Sequence, residues 1–481
     1  PRPVVSVAGD SASRELYPEW SPDGQTIAWV HRDTIRVRGI DGGSERILGA
    51  LPEAHSLAWS PDGKWIAAVS GNEGFVYGAG ASTMDVGFIS IGNLAPSSVW
   101  LLPTDGGTPV EVAAGNHLNT SPAWLGPRRL IMVSDRDGSR DLFLIDIAES
   151  GAPAAEPIRL TTGLNAHTVS AQPDGRAVSY SVFTQSSNVW ALPIPSTAPL
   201  GTATATAITS GSQIVEAMEV SPDGRWLAFD ADGAGSQDLY RLPLGSSGDV
   251  ERIVETSTDD QRPVWSADGK PLLFYSFVDG VRRAFVVPSH GGTPKMLQTG
   301  GHDEQHTPVW SPDMRRVMFH RPVKGVDQIF ELTRRGDSTW SDARQLTKRG
   351  GFGGRWSPDG ASVAYVAPPM QVRVMGSGDD REATSRVLFD GGALPSGGLR
   401  PVAIRWAPDG RTIYMKTIDA RGQAALWALG ADGGAPRQLV RFDEPLRPTR
   451  RPEFAVDTRR LYFTLAQSES DVWVMELGGR R

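Results

Sequence analysis

The chain has 481 residues and a formal charge of −7, with 39% hydrophobic and 21% charged residues. That composition suits a large chain with a buried core and argues against both disorder and a basic nucleic-acid binder. Cysteine is absent, which excludes a disulfide framework, a thiolate zinc site and a cysteine nucleophile.

Gly 54 and Pro 36 point to a fold with many turns. The first residues, PRPVVSVAGD, lack the apolar centre of a signal peptide, and no apolar run is long enough for a membrane helix. The chain begins at Pro1 without Met, which suggests a piece of a longer product.

One signature recurs along the chain: an aromatic, Ser-Pro-Asp-Gly, then an alternating apolar run. It starts at Trp20, Trp59, Trp124 (worn), Ala171, Val220, Trp265, Trp310, Trp356, Trp406 and Phe454, ten copies in all. The mean spacing of about 48 residues is in the range of four-stranded propeller repeats. The spacing predicts a strand A ending at each aromatic and a Pro-Asp-Gly turn in which Gly takes φ > 0. Strand B then alternates, as in Ile27-Ala28-Trp29-Val30. Strand C is expected at Asp141-Leu142-Phe143, Asn188-Val189-Trp190, Asp238-Leu239-Tyr240 and Asp471-Val472-Trp473, with a short strand D after it, as in Arg159-Leu160-Thr161. The recurring aromatics are expected to pack between adjacent sheets.

The predicted fold is therefore all-β, a propeller of four-stranded blades with ten repeats over residues 1–481. The expected arrangement is one closed ring, in which the N-terminal PVVSVAG strand pairs with residues 472–477 and completes the last blade. The alternative is two smaller propellers in contact.

The repeat grammar resembles the TolB-like family of β-propeller repeats over essentially the whole chain. Three stretches resemble the propeller portions of bacterial receptor Ser/Thr protein kinases: GNLAPSS at 92–98, LTTGLNAHTVS at 160–170 and SESDVWVMEL at 468–477. The resemblance implies an extracytoplasmic propeller, periplasmic or at the cell surface, with a transmembrane segment and a kinase domain upstream. The kinase itself is not in this chain. His31-Arg32-Asp33 spells part of a catalytic loop, but position 38 is Arg where that loop needs Asn. No Gly-x-Ser-x-Gly elbow is present either, so a serine hydrolase is not expected.

Two regions are candidates for function. Four residues before the signature aromatics stand His55, His167, Glu216, Gln261 and His306. These polar types, at the start of innermost strands, would line a channel mouth, either as solvated groups that bond strand-end backbone or as a site for a peptide, glycan or protein. Alternatively His167, Glu216, Gln261 and His306 would hold a divalent metal such as Mn or Ca, as in propeller lyases that cleave uronate polymers; a single wide ring would set the histidines too far apart for one ion. The second region is the insertion 71–98, whose Phe75, Tyr77, Met84 and Phe88 are too apolar for a linker and read either as a recognition loop beside His55 and His167 or as a loop that plugs the tunnel or folds flat over the ring. The expected function is a non-enzymatic sensor or interaction module with no cofactor, no nucleic acid and no membrane insertion by this chain. The alternatives are a metal-dependent polysaccharide lyase or hydrolase, and a free periplasmic scaffold.

Overall fold

The computed structural model describes residues 15–72, 96–114, 117–172, 174–232, 237–245, 248–256, 258–278, 281–297, 304–336, 339–376, 382–393, 398–449 and 451–477. These form strands that pair antiparallel except for Leu200–Gly201, which pairs parallel with Arg437–Arg441, with only short 3-10 turns beside them. The ten signatures mark ten inner strands, and the strands gather into nine sheets.

The signature works as a hydrogen-bonded clasp. In repeat five, Ser221 Oγ donates to Asp223 at 2.6 Å and accepts the Trp226 N–H at 2.9 Å. The same carboxylate takes the Arg225 N–H at 3.1 Å. Gly224 follows at φ 70°, the left-handed conformation that closes the turn. Ser60–Asp62, Ser266–Asp268, Ser311–Asp313 and Ser357–Asp359 repeat the Ser–Asp bond. Strand B then carries the buried stripe, for example Leu227, Ala228 and Phe229.

Three of the aromatics fasten their repeat to the one before. Trp124, Trp265 and Trp406 donate their indole N–H to the carbonyls of Ala58, Glu219 and Arg355, each on the preceding inner strand, at 3.1 Å. Trp20 departs from the expected packing: it is 55% exposed.

The chain divides into two compact units, residues 1–184 with 468–481, and residues 185–467. The first unit holds repeats one to four. The second holds repeats five to ten, and its inner strands Val215–Val220, Asp260–Trp265, His306–Trp310, Phe352–Trp356, Leu399–Trp406 and Phe454–Val456 pack side by side in that order. The last of them also packs against the first. Apolar clusters seal both flanks of repeat ten. Val189, Ala191, Ala455 and Tyr462 meet Val215, Met218 and Phe229 of repeat five, and Leu192, Phe454, Leu461 and Phe463 meet Tyr414 and Leu426 of repeat nine.

The boundaries between the units fall inside two long strands, Ala177–Pro193 and Arg460–Glu476. Here the sequence expectation needs correction. Asn188-Val189-Trp190 is not strand C of repeat four, and Asp471-Val472-Trp473 is not strand C of repeat ten. The strand order is Ala166–Ala171, Ala177–Pro193, Arg460–Glu476, Phe454–Val456. In the second unit the rear of Ala177–Pro193 serves repeat ten as its third strand, and Trp190 and Ala191 pair with Thr206–Ala207 as its fourth. In the first unit the rear of Arg460–Glu476 serves repeat four, with the Leu477 N–H on the Arg176 carbonyl at 2.8 Å. The two strands C are exchanged because residues 182–187 (VFTQSS) and 465–470 (LAQSES) contain no Gly, Pro or Asp to turn the chain back.

Residues 1–10, expected to complete the last blade, lie outside the described residues, as do Phe75, Tyr77, Met84 and Phe88 of the insertion. Val472, Trp473 and Val474 are exposed on the outer strand of the first unit's fourth sheet. Among the described residues no helix is long and apolar enough to cross a membrane.

Candidate functional site

The five polar residues at the starts of inner strands do not form one set. His55 and His167 belong to the first unit, Glu216, Gln261 and His306 to the second.

His55 is buried, with Nδ1 at 2.8 Å from Ser56 Oγ and Nε2 at 3.0 Å from the Gly71 carbonyl. Burial lowers its pKa to about 4, so the ring is neutral at pH 7. Gly71 is the root of the insertion, so the imidazole holds that root in place. Ser97 holds the other root, its Oγ donating to the Asn119 carbonyl at 2.9 Å and accepting the Asn119 N–H at 3.0 Å. His167 is also held near pKa 4, by burial first and by Arg140 second.

In the second unit the three residues occupy matching positions on successive inner strands, and each strand carries a register shift just after them. Glu216 pairs with Arg451 of repeat ten at 3.0 Å. Gln261 accepts the Tyr275 hydroxyl at 2.5 Å. His306 Nε2 lies 3.0 Å from Glu304 and 3.4 Å from Arg282, with its ring edge-on to His320 at 5.3 Å. Burial and Arg282 lower the pKa of His306, while Glu304 opposes the shift. His320 lies far below the ordinary range, through burial first and its charged neighbours second. Both rings are therefore neutral at pH 7. Among the described residues no group of three or more His, Asp or Glu stands close enough to hold a metal ion.

A second layer lies deeper on the same strands, at the residues one and three before the aromatic. Glu219, Val264, Val309, Arg355, Arg405 and Glu453 each immediately precede a signature residue, and all six line one small axial gap with Arg262. Arg262 sits at φ 57°, donates its N–H to Asp230 at 2.8 Å and forms an ion pair with Glu453. Asp230 also accepts the N–H groups of Glu216 and Ala217, at 2.9 and 2.7 Å. Burial, then Glu216, pushes its carboxyl up to about 7 against those three donors. Arg355 is lowered to about 9 by burial and by Arg405.

Reading four residues back picked the channel rim and missed this layer. The signal was available: a charged residue directly before a buried aromatic, as in Arg355-Trp356 or Glu453-Phe454, has only the axis to face.

This architecture is one that known families share. Residues 168–377 match the family model described as TolB beta propeller domain. Over that stretch the repeats are similar to TolB propeller repeats. An uncharacterized protein of Agrobacterium fabrum, Atu1656, is 25% identical over 250 residues, 51% of this chain and 74% of its own length. Among solved structures, a TolB-type protein of Agrobacterium tumefaciens aligns at 18% identity with TM-score 0.46, over 59% of this chain and 99% of that one. An oligogalacturonate lyase in complex with manganese aligns at 16% identity with TM-score 0.38, over 71% and 86%.

Proposed function

We propose that this TolB-like chain is a non-enzymatic binding module that works outside the cytoplasm, as the sensor part of a bacterial receptor kinase. We read its second unit as a propeller closed by repeat ten and its first unit as the carrier of the recognition insertion. The observation that carries the binding role is the axial set of the second unit. Glu219, Glu453, Arg262, Arg355 and Arg405 line one gap, and Glu216, Gln261 and His306 stand at matching positions on successive strands, an arrangement that suits a polar ligand. His306 faces Arg282 and Glu304 and has His320 edge-on to it, and both rings are neutral, which suits hydrogen bonding to a peptide or glycan. The receptor role rests on the resemblance of residues 92–98, 160–170 and 468–477 to receptor-kinase propellers.

The gene upstream of Pro1 tests the receptor role. A kinase domain followed by an apolar stretch of about 20 residues is expected. A bare signal peptide there would overturn the receptor role and leave a free periplasmic interaction module. Metal analysis tests the enzyme alternative: purified protein is expected to carry no stoichiometric Mn or Ca. One equivalent of metal, lost on His306→Ala, would replace the sensor with a lyase.

A further inference from the structure

We propose that the axial gap between Arg355 and Arg405 in the second unit is a binding site for one small monatomic anion of chloride size. This site lies beneath the rim residues and does not depend on what the rim binds.

Charge is the first argument. Three guanidiniums, Arg262, Arg355 and Arg405, line the gap against two carboxylates, Glu219 and Glu453. Arg262 and Glu453 neutralise each other in a direct ion pair. That leaves Arg355 and Arg405 facing the single carboxylate of Glu219, one positive charge in excess. Burial disfavours the charge on both arginines, and Arg405 adds repulsion on Arg355. An uncompensated buried charge is costly, and an anion between the two guanidiniums removes the cost.

Hydrogen bonding is the second argument. A guanidinium carries five N–H donors. Arg355 Nη1 donates to the Gly354 carbonyl at 3.0 Å and Arg405 Nη1 to the Ile404 carbonyl at 2.9 Å. Arg405 Nε is buried and has no partner among the described residues. Neither arginine has a carboxylate within ion-pair distance among those residues. Water would satisfy the donors but leave the charge.

Size is the third argument. The gap has room for a particle of about the size of a water molecule, walled by Met218, Val264 and Val309. A monatomic ion asks less of that space than a planar carboxylate with its substituent.

The test compares thermal unfolding of the whole chain in sodium chloride and in sodium gluconate at equal ionic strength. Chloride is expected to raise the midpoint saturably, by about 2–4 °C, because it binds the folded state alone. Arg405→Met is expected to abolish the difference; Arg355→Met serves the same purpose if that variant does not fold. Crystals of the unaltered protein grown in bromide give an independent readout, an anomalous peak between Arg355 and Arg405. Equal midpoints in the two salts, or bromide-grown crystals with no peak there, would overturn the proposal.

Discussion

At the residue scale, the titratable groups inside the sheets decide how stability follows pH. His55 and His167 have folded pKa values near 4, below the ordinary 6.5. The unfolded chain therefore binds more protons between those values, and the first unit loses stability as pH falls from 6.5 towards 4. His55→Gln is expected to flatten that fall in thermal melts recorded across the window. Lys416 in the second unit titrates in a different range. It is buried, donates to Thr449 Oγ1 and the Arg451 carbonyl at 2.5 Å, and has its pKa lowered to about 7 from 10.5 by desolvation. Here the unfolded chain holds the extra proton between about 7 and 10.5, so the second unit gains stability as pH rises through that range. Lys416→Met should remove the gain, and an unchanged slope would contradict the assignment. The signature serine belongs to this scale too. Ser221→Ala removes the acceptor for the Trp226 N–H and a donor to Asp223, at a cost of about 1–2 kcal/mol in denaturant unfolding.

At the element scale, the repeat grammar made the inner strands and their turns legible. The Ser-Pro-Asp-Gly clasp is local chemistry, and each of its bonds forms within five residues. The exchange of strands between repeats four and ten was harder to read, because it depends on what is missing. Elsewhere a Gly or Pro usually turns strand B back, as at Gly138 with φ 92° or Gly325 with φ 79°. Across 182–187 and 465–470 no residue does so, and the strands run on. The deeper axial layer was missed for a related reason. Nine of the ten inner strands carry an extra residue near the rim, as between Gln261 and Val264, so the rim positions and the layer beneath them do not follow one alternation. Replacing Gln185-Ser186 by Asn-Gly supplies the missing turn signal. It is expected to strip repeat ten of its third strand and lower the midpoint of the second unit. A variant as stable as the parent would show that the continuous strand is dispensable.

At the scale of the whole molecule, ten repeats of one grammar sort into a group of four and a group of six, and no counting of repeats separates the two. The sorting follows from long-range contacts: Tyr462 and Ala455 packing on repeat five, Phe463 and Leu461 packing on repeat nine, and Glu216 reaching Arg451. Both ends of the second unit, 185–193 and 460–467, lie in the same sheet. The six repeats should therefore need nothing from the rest of the chain to close. The most direct measurement is the folding of a fragment spanning residues 185–467. It is expected to be a monomer with β-sheet circular dichroism and a single cooperative unfolding transition, whose midpoint rises with pH between about 7 and 10.5 as Lys416 dictates. A fragment that is unfolded, or soluble only as an aggregate, would contradict a six-repeat unit closed on itself.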